Sequence, residues 1–233
     1  MSNISIPVKI DYFSDVLCVW AYVGQIRLQE LLSQYEELLI VEQHFMPVFG
    51  CTRTRIGEGW RDRGGFDGFC QHVLDVGAKF PHVPIHPEVW NGCKPRSSAA
   101  AHLFIKAVQI AEQSETSASS SRLNERFERF VWAVRCAFFQ KALDISDQSV
   151  LRSIALESGV DLAPVDALLA SGEAMAALCR DAELKELWKI EGSPTFYLNQ
   201  GRQKLYGNVG YKILEANVVE AMNQGGRERA SWC

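Results

Sequence analysis

The sequence predicts an α/β fold in which a βαβ unit and a ββα unit are separated by a long helical insertion. Two observations carry that expectation. Short β-patterned runs occur only near the two ends of the chain, and the long middle repeats its apolar residues at helical spacing. With 233 residues, 47% of them hydrophobic, one compact unit can bury a large core, and no segment has the length or composition of a domain linker.

Val8 to Phe13 reads as a strand with Val8, Ile10 and Tyr12 on one face, followed by a turn-like Ser14-Asp15. A helix begins near Cys18. Leu28, Leu31, Leu32 and Tyr35 continue its apolar face, which gives a helix over Val19 to Tyr35. Leu38 to Phe45 is the second strand. Two strands around one helix form a right-handed crossover whose ligand site lies past the carboxyl end of the first strand, and Cys18 falls there.

Gly50 to Gly92 is rich in Gly, Arg, Trp and Pro and reads as an ordered irregular region with one short helix over Phe69 to Val76. Pro95 to Ala111 is expected to be helical. The Ser/Thr run from Ser114 to Ser121 reads as a connection, with Ser121 as a cap for the next helix. From Leu123, the residues Phe127, Phe130, Val131, Val134 and Phe138 mark an amphipathic helix. Asp147 to Glu157 is another, stopped by Gly159. Ala163 to Leu169 and Glu173 to Trp188 complete the helical block. Thr195 to Asn199 and Gln203 to Tyr206 are short strands joined at Gly201, and Tyr211 to Asn223 is the final helix. This order is a thioredoxin fold with a large helical insertion: residues 1–58 and 189–233 form the core and 59–188 the insertion. The tail from Gly225 to Cys233 is expected to fray.

Charge and composition exclude several functions. A net charge of −4 and a pI near 5.8 offer no basic excess for a phosphate backbone or an anionic membrane, so nucleic acid and membrane partners are not expected. No apolar run approaches the ~20 residues of a membrane span. The amino terminus lacks a signal peptide's basic and apolar regions, which makes a cytoplasmic location the expectation. The cysteines, at 18, 51, 70, 93, 136, 179 and 233, are odd in number and widely spaced, and no pair has the two-residue spacing of a zinc knuckle or dithiol. No metal site is expected. His82 and His86 have helical spacing, but Pro81, Pro84 and Pro87 preclude a helix there. Gly64-Gly65 lacks the spacing of a phosphate cradle. Trp60, Arg61 and Arg63, with Gly64-Gly65, read as a surface loop with solvated arginines in preference to an active-site lid over an acidic ligand, and His44 as a satisfied histidine at a strand end.

The chemistry points to Cys18. A thiol after a strand and at the first turn of a helix meets unpaired N–H groups and the helix dipole, which favour thiolate. Position alone leaves two readings open, a nucleophile or a buried inert cysteine.

Three strings add to it. The segment from Ser14 to Gly24, through Asp15, Cys18, Trp20 and Tyr22, resembles the active-site segment of DsbA-like oxidoreductases of the FrnE-like branch. Gly192-Ser193-Pro194-Thr195-Phe196 resembles the loop before the third thioredoxin strand, and Leu205 to Tyr211 resembles the segment before the last helix of 2-hydroxychromene-2-carboxylate isomerases and kappa-class glutathione transferases. The resemblance implies a cis Pro194 against the Cys18 sulfur, with Trp20 shaping the adjoining surface. It also implies a Ser193 backbone that bonds an incoming thiol or peptide, and a substrate or glutathione site at Ser193, Thr195 and Asn208. Asn208 would cap the last helix as its N–H groups hold a carboxylate.

The second cysteine of the dithiol motif is replaced by Ala21. Cys18 would therefore act alone, with release by an external thiol or by Cys51 or Cys93, although each of these two is more simply a small core or loop residue. No tightly bound cofactor is expected, and glutathione is the candidate co-substrate. The acidic residue that the isomerases and transferases place near the last helix is absent from Gly207-Asn208-Val209. Three readings follow: a monothiol thiol–disulfide oxidoreductase acting on a small thiol or disulfide or on a protein thiol, a glutathione-dependent isomerase or transferase, or a non-catalytic thioredoxin-fold binding protein. A homodimer is compatible with each.

Overall fold

The computed structural model describes residues 7–35, 38–115 and 125–224. Four strands form one mixed sheet in the order β2-β1-β3-β4: β1 (Val8–Ser14), β2 (Leu39–Phe45), β3 (Thr195–Leu198) and β4 (Gln203–Tyr206). β1 pairs parallel with β2, with Ser14 opposite Phe45, and antiparallel with β3, with Phe13 opposite Thr195. The helix α1 (Val19–Tyr35) makes the β1-to-β2 crossover. The two ends of the sequence thus meet at the centre of the sheet, and this register delivers Thr195, and Pro194 just before it, beside the exit of β1.

Both faces of the sheet are covered. On one, Ile10, Tyr12, Val41, Phe196 and Leu198 pack under Leu28 and Leu31 of α1 and under Leu214 and Val218 of the carboxyl-terminal helix α8 (Tyr211–Gln224). The middle segment supplies α2 (Gly65–Gly77), α3 (Ala99–Glu115), α4 (Glu125–Phe139), α5 (Gln148–Glu157), α6 (Leu162–Ser171) and α7 (Glu173–Leu187), of which α3, α4 and α7 reach the other face through Lys106, Arg135 and Asp181. A large cluster there joins the amino-terminal end of α1 to Phe104, Phe130 and Phe138. This double cover explains why β1 is buried at Asp11, Phe13 and Ser14 as well as on the alternating face read from its sequence.

Local chemistry sets the helix ends. Asp147 and Asp161 cap α5 and α6 by accepting from Ser149 N–H and Ala163 N–H. Gly159, with φ at +81°, ends the α5 segment as its position suggested. Two helix starts lie four residues from the sequence reading. α2 begins at Gly65 rather than Phe69 because left-handed Gly64, at φ +90°, turns the chain into the helix four residues earlier. The irregular region also contains a π-helical turn over Arg53–Glu58. α3 begins at Ala99 rather than Pro95, since the Ser97 hydroxyl accepts from Ala99 N–H and holds the first turn there. Most of the Ser114 to Ser121 connection, including the Ser121 cap, and the tail from Gly225 lie outside the described residues.

Candidate functional site

The β1-to-α1 turn is held by its own aspartate. Asp15 Oδ1 accepts from Leu17 N–H at 2.8 Å, and Cys18 N–H donates to the Asp15 carbonyl at 3.1 Å, which places Cys18 just before the helix. Asp15 Oδ2 accepts from Phe49 N–H at 2.9 Å and from the Ser98 hydroxyl at 2.7 Å. The carboxylate is fully buried and ties the turn to the chain after β2 and to the start of α3.

The Gly192–Thr195 bend closes on this turn. Ser193 Oγ accepts from Asp15 N–H at 2.9 Å, and the Cys18 thiol donates to the Ser193 carbonyl, with Sγ and oxygen 3.3 Å apart. The Ser193–Pro194 peptide bond is cis. Thr195 is buried and its hydroxyl donates to the Gly192 carbonyl at 2.6 Å, while Gly207 N–H donates to the Pro194 carbonyl at 2.8 Å. Four of the six residues singled out in the sequence, Cys18, Ser193, Pro194 and Thr195, therefore meet. Trp20 lies half-buried in the first turn of α1, its ring edge-on to Phe80 with centroids 6.3 Å apart. Asn208 is exposed, and its carboxamide oxygen accepts from Arg27. It is not the helix cap, because α8 starts at Tyr211 and the preceding position is Gly210.

The electrostatics of the thiol differ from the sequence expectation. Burial dominates and pushes the Cys18 thiol up, with the Asp15 charge adding to the rise. The Ser193 contact and the N–H groups of Ala21 and Trp20 only partly oppose it. With the residue 6% exposed, the helix dipole loses to desolvation. Alkylation of Cys18 by iodoacetamide, measured against Cys18→Ser, is accordingly expected to keep accelerating above the ordinary thiol value of ~8.5. A rate that levels off below neutrality would contradict this burial-dominated thiol.

Beneath the turn lies a polar layer that the sequence reading did not single out. Val16 N–H donates to His102 Nε2 at 3.2 Å, so the ring proton belongs on Nδ1. Burial pushes this imidazole down to about 4, against the pull of Asp15. Arg135, fully buried, donates to the Asp15 carbonyl at 3.2 Å and to Ser14 Oγ at 2.9 Å. One signal was available: Ser98, just before α3, and His102, Lys106 and Gln109 within it recur at helical spacing as a polar stripe whose members are all buried.

The described cysteines at 18, 51, 70, 93, 136 and 179 are all free thiols. Cys51 is exposed and contacts the Thr54 hydroxyl at 3.4 Å, whereas burial, with Asp144 adding, raises the Cys93 thiol to about 11. His44 is satisfied at both ring nitrogens, by Asp11 at 2.9 Å and Asp181 at 2.8 Å. Asp11, Glu42 and His44 offer converging ligand atoms, but the Lys9 ammonium already bridges the two carboxylates, 3.0 Å from Asp11 and 2.5 Å from Glu42.

A β2-β1-β3-β4 sheet with a cysteine at the start of its crossover helix, facing a cis-proline bend, defines the thioredoxin-fold class. The agreement extends to sequence, since a family profile for the DSBA-like thioredoxin domain matches residues 9–219. The chain belongs to this DsbA-like family of thioredoxin-fold oxidoreductases. Solved structures agree on the fold. A candidate protein disulfide isomerase from Nitrosomonas europaea superposes with a TM-score of 0.72 at 15% identity, over 94% of this chain and 98% of that one. A 2-hydroxychromene-2-carboxylate isomerase gives 0.61 at 15% identity, over 95% and 100%. The cytosolic disulfide reductase DsbM from Pseudomonas aeruginosa, in its structure with GSH, gives 0.62 at 20% identity, over 91% and 99%. No curated protein sequence matches the chain.

Proposed function

We propose that the protein is a monothiol thiol–disulfide oxidoreductase that uses Cys18 as its nucleophile and glutathione, or a similar small thiol, to release product. The observation that carries this reading is the contact of Cys18 Sγ with the Ser193 carbonyl beside the cis bond to Pro194, at a helix start where Ala21 replaces a second cysteine. Cys18 gives its proton to solvent, its sulfur bonds one sulfur of a disulfide, and the other sulfur leaves as thiolate. A second thiolate then attacks the partner's sulfur in the mixed disulfide, expels Cys18 thiolate and carries away the new disulfide. Loss of the thiol proton frees the Ser193 carbonyl for an N–H of the incoming chain, while Trp20 and Pro194 shape the surface against which it lies. A cytoplasmic location would supply the reducing thiol. The fold shared with a disulfide reductase solved with GSH supports the choice of co-substrate.

Incubation with oxidised glutathione is expected to leave one glutathione adduct on Cys18, seen by peptide mass spectrometry and absent in Cys18→Ser. Insulin reduction is expected to be weak and to require added glutathione. An unmodified Cys18 alongside adducts elsewhere would refute the proposal and favour a binding module. One observation favours a second reading. A buried thiol held up in its protonated form suits hydrogen-bond donation to a bound small molecule, as in a glutathione-dependent isomerase. Isomerisation of 2-hydroxychromene-2-carboxylate with glutathione, without net thiol consumption, would select it.

A further inference from the structure

We infer that Arg27, held by Asn208, is the anchor for a carboxylate on the small disulfide or thiol that reacts at Cys18. This inference rests on the oxidoreductase reading and names the chemical class of its substrate. Trp20, Gly24 and Arg27 stand at positions i, i+4 and i+7 of α1 and form its half-buried stripe beside the site, whereas Ala21, Tyr22, Val23, Gln25 and Leu28 are buried. Arg27 folds back toward the start of the helix. Its Nη1 lies 3.8 Å from where a Gly24 Cβ would stand, and its guanidinium is 5.7 Å from the centre of the Phe80 ring. Gly24 lies six residues after Cys18, about 9 Å along a helix, within the span of a tripeptide-sized molecule.

The charge of Arg27 is unanswered. Its polar partner is the neutral Asn208 carboxamide, and among the described residues no carboxylate pairs with it. Asn208 follows Gly207, whose N–H is bonded to the Pro194 carbonyl, so the Arg27–Asn208 pair joins α1 to the cis-proline side of the site. A half-buried guanidinium keeps donors free after one bond to Asn208, and a carboxylate matches its fork geometry. Cys18 is nearly covered, which favours a small molecule over a folded protein as the carboxylate's bearer.

The test compares two disulfides that react with the same thiol. Cys18 attacks 5,5′-dithiobis(2-nitrobenzoate), which carries carboxylates, or 4,4′-dithiodipyridine, which carries none. Either reaction forms a mixed disulfide and releases a chromophoric thiol, and Cys18→Ser supplies the background. The ratio of the two rate constants, carboxylate over neutral, is expected to fall about tenfold in Arg27→Ala and further in Arg27→Glu, and to recover in part in Arg27→Lys. A ratio unchanged in Arg27→Ala overturns the inference. Binding of S-methylglutathione, followed by Trp fluorescence, does not need a reactive thiol and is expected to weaken by a similar factor in Arg27→Ala. Equal binding by wild type and Arg27→Ala, or none by wild type, also overturns it. Failure of the oxidoreductase reading has a different signature: Cys18 inert to both disulfides while the Arg27-dependent binding persists.

Discussion

Asp181→Ala is expected to destabilise the protein by about 3–5 kcal/mol, because it leaves buried positive groups without their carboxylate. Asp181 lies on α7, and Oδ1 accepts from His44 Nδ1 at 2.8 Å. Oδ2 accepts from Phe45 N–H at 2.8 Å and pairs with the Lys106 ammonium at 2.8 Å. All of these groups are buried, so water cannot replace the lost partner without opening the interface between α7 and β2. Urea unfolding monitored by circular dichroism measures the change. A loss below about 1 kcal/mol would mean that α7 is held on β2 by apolar contact alone.

The same variant should alter the pH dependence of stability. Burial opposes protonation of His44, but Asp11 and Asp181 outweigh it and raise the imidazole above its ordinary value. A raised base contributes stability that is fully present below the unfolded value of ~6.5 and is lost as pH rises through the folded value. His102, pushed down to about 4, has the opposite sign: its contribution is present above ~6.5 and is lost as pH falls through about 4. The combined contribution of these two histidines should therefore be greatest near pH 6.5 and fall on both sides, against the background of Glu128, which burial raises to about 7 and whose contribution declines as pH rises through that value. Asp181→Ala should flatten the alkaline limb and keep the acid limb.

Asp15→Ala is expected to cost a comparable amount, about 3–5 kcal/mol, and to disturb the thiol as well. The substitution orphans Leu17 N–H, Phe49 N–H and the Ser98 hydroxyl, all at buried residues or in a packed turn. It also removes a negative charge that helps to hold the Cys18 thiol up. Thermal melting should fall by roughly 10 °C, given about 2–4 °C per kcal/mol for a chain of this size. The pH at which Cys18 alkylates should move downward in whatever fraction remains folded. Asp15→Asn keeps an acceptor for Leu17 N–H and should cost less stability while shifting the alkylation profile in the same direction. An unchanged profile in both variants would mean that the carboxylate charge does not reach the sulfur.

Much of this architecture was legible because its signals are local. The apolar spacing from Leu28 to Tyr35 gives α1, alternation gives β3 and β4, and Asp147 and Gly159 bracket α5. The misplaced starts of α2 and α3 arise where a left-handed Gly64 or a Ser97 hydroxyl, rather than apolar periodicity, chooses the first turn. The position of Cys18 was also legible, because a cysteine after a strand and before a helix can stand in few places. Its ionisation was not. Whether the helix dipole or desolvation prevails depends on what covers the sulfur, and that cover comes from residues far apart in the chain.

The polar layer below the site shows the same limit. His102 and Arg135 sit on helices whose other buried positions are largely apolar, and each finds its partner in the β1-to-α1 turn more than eighty residues earlier. The sequence by itself determined the element order, the α/β class and the cysteine at the head of the first helix, since backbone propensity and side-chain period act between near neighbours. Only the tertiary structure decided that Cys18 is covered and its thiol pushed up by burial, that Asn208 serves Arg27 rather than the helix end, and that His44 bridges two aspartates. Those outcomes depend on dielectric and on partners brought within about 3 Å by folding, and neither quantity is encoded in the spacing of residues along the chain.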